Sequence, residues 1–134
     1  MNTSFMAAML MALGLNLASP AVAATPTVEI IAMPHPPVTM ALAPLRAWLG
    51  SQGKNLTVVE TDAESAKGVQ RLESVGLRGH IPIVILIDGR YRQKFKDGRQ
   101  VELVNFPNIN GTPPAVRGQW TTADVQAVLA GRVK

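Results

Sequence analysis

Residues Val75–Gly89 read VGLRGHIPIVILIDG, and the rest of the fold can be worked outward from them. Ile83–Ile87 (IVILI) is the most β-prone run in the chain, with no polar residue to mark a wet face. Such a run predicts a strand buried on both sides, in the middle of a sheet. Asp88-Gly89 behind it is a tight-hairpin pair, turning the chain into Arg90–Phe95, and Asp97-Gly98 turns it again toward Val101–Val104. In front, Gly76 closes a helix whose apolar positions are Ala66, Val69, Leu72 and Val75, and Thr61-Asp62-Ala63-Glu64 offers a capping box to open it.

Moving toward the N-terminus, Leu56–Glu60 (LTVVE) and Val28–Ala32 (VEIIA) are further short strands. Between them, Pro36-Pro37 suits the first turn of a helix, where a missing N–H costs nothing. Leu42, Leu45 and Leu49 then repeat at helical spacing with Trp48 beside them, Pro44 should kink the helix, and Gly50 should stop it. Toward the C-terminus, Asn105–Gly118 is rich in Pro, Gly and Asn and predicts a surface loop. A last helix starts at Thr121 with Asp124 as its capping partner, Trp120 stapling onto Val125 and Gly131 closing it. The order β-α-β-α-β-β-(β)-α predicts an α/β sandwich around one mixed sheet.

The 134 residues suit one domain, and a hydrophobic fraction of 47% can supply its core. Residues 1–28 carry no charge, and Met6–Ala18 is an apolar run of signal-peptide length followed by Ala21-Val22-Ala23. We expect residues 1–24 to be a signal peptide cut near Ala23 or Ala24, and residues 25–134 to be the mature domain, periplasmic or secreted. No later stretch is long enough for a membrane span. The chain has no cysteine, so the core must suffice without disulfides.

The element order and two local sequences resemble the thioredoxin superfamily. Met40-Ala41-Leu42-Ala43-Pro44-Leu45 is similar to the helix behind the family's redox motif, interior proline included. Val75–Gly89 is similar to the family's helix end, cis-proline loop, central strand and hairpin. The resemblance implies a three-layer sandwich, a mixed central sheet with helices on both faces, and a cis bond at Ile81-Pro82. Aligning on Pro44 places Pro36 and Thr39 where the family carries its two cysteines, with His35 ahead of them. Disulfide exchange needs a thiolate; proline has no nucleophile, and a threonine hydroxyl is a poor one without a base. Thiol–disulfide chemistry is excluded. His80, inserted between Gly79 and Ile81, is a further departure from the family's loop.

The resemblance therefore implies a non-catalytic binding module that needs no cofactor. Its expected groove lies between the former redox loop (His35, Pro36, Pro37, Thr39) and the proline loop (His80, Ile81, Pro82), and its expected partner is an extended peptide or protein of the cell envelope. In the family, the backbone just before the proline pairs with such a peptide or with glutathione, a role Ile81 could keep. The alternative is copper or other metal handling through His35 and His80, the only two histidines, with Met33 and Met40 near in sequence; imidazole and thioether suit copper. Against it, thioredoxin-like copper proteins rely on cysteines missing here, and the methionines are better read as core. A weaker alternative is a glutathione-dependent enzyme using the bound thiol. Hydrolysis at Thr39 would need a base and an orienting acid, and no acid adjoins His35 in sequence.

The net charge of +4 is unevenly placed. Arg90, Arg92, Lys94 and Lys96 alternate, lining one face of a strand. We favour an edge strand kept soluble by its charges over a weak contact with an anionic surface. Nucleic acid is a poor partner for an exported chain with few interleaved aromatics.

Overall fold

A computed structural model describes Ser19 and residues 24–131; the expected signal peptide falls almost wholly outside the described residues. Three strands form the main sheet: β1 (Thr27–Ala32), β2 (Thr57–Asp62) and β3 (Ile83–Ile87), in the order β2-β1-β3. β1 runs parallel to β2 and antiparallel to β3, so the sheet is mixed, as the sequence predicts. Helix α1 (Pro36–Ser51) links β1 to β2, and α2 (Ala66–Ser74) links β2 to β3. The chain continues through the small hairpin β4 (Arg92–Lys94) and β5 (Gln100–Glu102) and ends in helix α3 (Thr122–Ala130).

All five residues of β3 are buried. β1 guards one side of it. On the other, Leu103–Asn105 lies antiparallel: Ile85 N–H donates to Leu103 O, and Asn105 N–H to Ile83 O. The sheet is covered on both faces. Glu60, aligned with Ile30, reaches Arg46 of α1 at 2.7 Å, whereas Glu29, the preceding position on β1, takes Arg71 of α2 at 2.6 Å. Successive strand residues point to opposite faces, so α1 and α2 lie on opposite sides. Hydrogen bonding to Glu29 raises the Arg71 pKa above its ordinary value, against the opposing pull of burial.

α1 begins with its two prolines in the first turn and buries Val38, Leu42, Leu45 and Leu49. It runs through both Pro44 and Gly50 to Ser51; the left-handed residue after it is Gly53, at φ 56°. The expected stop at Gly50 is thus corrected, because nothing there demands positive φ. β2 keeps register with β1 as far as Asp62, so the expected capping box is absorbed into the strand. Ser65 caps α2 instead, accepting the Gly68 N–H at 3.0 Å. The hairpin after β3 has Asp88 at φ 49° and Gly89 at φ 80°, the paired left-handed conformation of a type I′ turn. At Thr121 the predicted capping box is present, with Trp120 and Val125 both fully buried.

The expected cis bond is not there. The described residues contain no cis peptide, so Ile81-Pro82 is trans, and from that geometry the Pro82 carbonyl accepts the Met33 N–H at 2.9 Å.

Gly68 packs its α-carbon against the end of β2. A Cβ there would stand 2.0 Å from Asp62 O and 2.9 Å from the Ala63 α-carbon, whereas one at Gly50 would meet nothing within 4 Å. Gly68→Ala should therefore destabilise the fold by roughly 1–3 kcal/mol through overpacking. Gly50→Ala, inside α1, should instead be neutral or stabilising by up to about 1 kcal/mol. Urea denaturation of the two variants checks both signs.

Candidate functional site: an apolar groove beside the first helix

The first turn of α1 and the segment before it are held from several directions. The Met33–Pro82 hydrogen bond joins the end of β1 to the approach to β3, bringing together the two loops expected to form a groove. His35 Nε2 lies 3.0 Å from Glu64 Oε1. That partner is 29 residues away in sequence, beyond what inspection of the residues around His35 could find. Both side chains are about half exposed, at 52% and 43%.

The expected proximity of the two histidines does not translate into a shared contact. His80 is exposed and makes no hydrogen bond or ion pair with His35. Among the described residues no three His, Cys, Asp or Glu side chains gather as a metal-ligand group. No hydrogen bond joins the Thr39 hydroxyl to His35; the bond between those residues is the helical one, Thr39 N–H to His35 O at 3.0 Å. Thr39 lines a polar cleft with Met33, Pro34, Arg46, Glu60 and Asp62. Ile81 N–H donates to Gly79 O at 3.1 Å, so this donor is already used within its own loop.

The other side of α1 is different in character. Pro37, Met40 and Ala41 face Phe106, Ile109 and Pro113 across an open groove of about 480 Å³. Met40, expected in the core, is 75% exposed, and Ile109 is 51% exposed. The reason is position: Met40 falls off the stripe set by Val38, Leu42, Leu45 and Leu49, which α1 turns inward. Phe106 and Ile109 were missed because they sit in a segment whose composition predicts only a loop; an isoleucine amid Pro, Asn and Gly is the one signal it offers.

That loop is stitched down along its length. Phe106 N–H donates to Val116 O at 3.0 Å, Gly118 N–H to Phe106 O at 2.7 Å, and Asn108 N–H to Trp120 O at 2.7 Å. The indole of buried Trp120 donates to Asn105 O at 3.0 Å. Arg117 donates through both Nε and Nη2 to Thr112 O, and Thr112 Oγ1 reaches Pro107 O at 3.3 Å. These bonds satisfy backbone groups that no strand pairs, so the outer wall of the groove is preformed.

Arg90, Arg92, Lys94 and Lys96 are all exposed, with half-buried Tyr91, buried Gln93 and half-buried Phe95 alternating between them. β4 spans only Arg92–Lys94, with buried Gln93 between two exposed cations. Arg92 pairs with Glu102 at 2.7 Å, and this bond raises its pKa above the ordinary value. Arg99 pairs with Asp124 at 3.3 Å. Arg90 and Lys96 lie outside the strand. The alternation agrees with the expected basic face; Arg92 and Lys94 lie within β4, and Arg92 is paired. Among the described residues no helix is long and apolar enough to cross a membrane.

Comparison with protein-family models, curated proteins and solved structures gives no match for this chain.

A Cβ at Gly118 would stand 2.2 Å from Val104 O. Gly118→Ala should push the loop off the sheet margin, and Arg117→Ala should release Thr112. In both variants amide hydrogen exchange at Phe106 and Gly118 should quicken by about tenfold or more, while exchange in β1 and β3 stays slow.

Proposed function

We propose that this chain is a non-catalytic, thioredoxin-like binding protein of the cell envelope that holds an extended peptide by an apolar side chain. The observation that carries this reading is the preformed groove between Pro37, Met40 and Ala41 on α1 and Phe106, Ile109 and Pro113 on the stitched loop. Exposed apolar side chains facing one another in a concave site, with polar groups at the rim, are the usual makings of a recognition surface. Met40 adds a flexible thioether able to adapt to different side chains. The strand order, the mixed sheet and the helix behind Pro36-Pro37 support the thioredoxin-like reading, and the absence of cysteine accounts for recognition without redox chemistry.

On this reading the contact differs from the one the resemblance implies. With the Ile81 N–H donated to Gly79, recognition moves from the proline-loop backbone to side chains on the far side of α1. Pro37 is common to both descriptions. Copper or other metal binding through His35 and His80 has no comparable support, since His35 is taken up by Glu64 and, among the described residues, no group of three His, Cys, Asp or Glu side chains forms. The glutathione alternative gains no observation of its own.

Peptides carrying a single Leu, Met or Phe between polar residues should shift the amide resonances of Met40, Phe106 and Ile109. Met40→Glu or Ile109→Lys should weaken binding by about tenfold or more and leave the melting temperature unchanged, both side chains being exposed. Shifts confined to other surfaces, or affinities indifferent to both substitutions, would remove this reading.

A further inference from the structure

The groove between α1 and the stitched loop has a polar end that an apolar side chain leaves unused. Ile109, Asn110, Gly111 and Thr112 form a tight turn, closed by Thr112 N–H donating to Ile109 O at 3.2 Å, and all four line the groove. Gly111 stands at φ 91°, and Asn110 and Gly111 are both exposed. Their backbone N–H groups are consecutive, and among the described residues neither has a hydrogen-bond partner. The N–H groups of Phe106, Asn108, Ile109, Thr112 and Gly118, by contrast, all have acceptors. Successive free amides in a turn, the second on a left-handed residue, are the makings of an anion-binding concavity. The residues lining the groove include no Asp or Glu, and Arg117 brings its guanidinium to the Thr112 carbonyl of the same turn. The groove is thus apolar along its walls and favourable to negative charge at this end.

Resting on the groove reading above, we infer that the site takes the C-terminal residue of a peptide. Its carboxylate accepts from the Asn110 and Gly111 N–H groups, and its apolar side chain lies against Met40, Phe106 and Ile109. Ile109 adjoins Asn110 in the chain, so the apolar wall begins where the donors are, and one ligand residue has to meet both. Within a peptide, an aspartate or glutamate brings charge without an apolar side chain, and an internal leucine brings an apolar side chain without charge. The last residue alone brings both. A carboxylate holds N–H donors roughly twice as strongly as a neutral carbonyl does, and capture of a terminal carboxylate by successive backbone amides is a recurring mode of peptide recognition. The flexible Met40 thioether lets the last side chain vary among Leu, Met and Phe.

Calorimetric titration of the full chain tests this with three peptides: Ser-Gly-Ser-Gly-Leu as the free acid, the same peptide as its C-terminal amide, and Gly-Ser-Leu-Gly-Ser with the leucine internal. The free acid should bind about tenfold or more tightly than either of the others, and it alone should move the Asn110 and Gly111 amide resonances strongly. Asn110→Pro removes one donor. Asn110 is not among the residues of positive φ, and the second place of such a turn suits proline, so the turn survives. In this variant the preference for the free acid should fall severalfold, while the amide binds as it does to wild type. Asn110→Asp keeps both N–H groups and should weaken the free acid by repulsion, again sparing the amide. Equal affinity of wild type for acid and amide would overturn this inference and leave the groove reading standing. No binding by any of the three peptides would overturn both. Variants that weaken acid and amide alike would overturn the assignment of the donors. Decanoate binding more tightly than the free-acid peptide would overturn it in favour of a fatty acid.

Discussion

The structure depends on β3 being dry on both sides. Five consecutive apolar residues, each buried, cannot be left with a wet face, so the sheet containing them must carry cover above and below. That single requirement calls for α1 on one face and α2 on the other, the placement that the Arg46–Glu60 and Arg71–Glu29 pairs report. It also requires a partner strand on each flank, supplied by β1 and by Leu103–Asn105. The long excursion through the β4–β5 hairpin therefore has to return to the margin of β3 before the chain can finish in α3.

The return positions the groove. Once Leu103–Asn105 is laid against β3, the segment beyond it emerges next to the start of α1, and its hydrogen bonds to Val116, Gly118 and Trp120 hold it there. Met33, bonded to Pro82, locks the end of β1 to the approach to β3 from the other direction. The groove is thus a by-product of closing the sheet margin, and its rigidity comes from backbone bonds that composition does not reveal. Two flat polar carbonyls, at Pro107 and Thr112, are drawn inward by Thr112 and Arg117, which leaves the apolar side chains of Phe106 and Ile109 to face α1.

Local patterns were enough to read the elements whose signals are short-range. The IVILI strand, the Asp88-Gly89 turn, the proline start of α1 and the Thr121 cap depend on residues within a few positions of each other, and all stand where they were expected. What could not be read depended on tertiary register. The Thr61–Glu64 box is a good helix start by itself, yet pairing with β1 keeps the chain extended to Asp62. Val69 has the spacing of a core residue but is 47% exposed, since a helix this short buries little beyond Gly68 and Leu72. The site was less legible still: Glu64 reaches His35 through space, and Met40 differs from its buried neighbours only in the direction α1 turns it. The cis bond, inherited from the family resemblance and from no local signal, is absent.

The way the loop is held has one more consequence. The outer wall of the groove hangs on main-chain bonds at Phe106, Asn108 and Gly118, while Ile109 and Met40 stand largely exposed along the groove. Exchange of those two side chains would alter the lining and leave the wall in place, so the shape of the groove and its chemical character can change independently of each other.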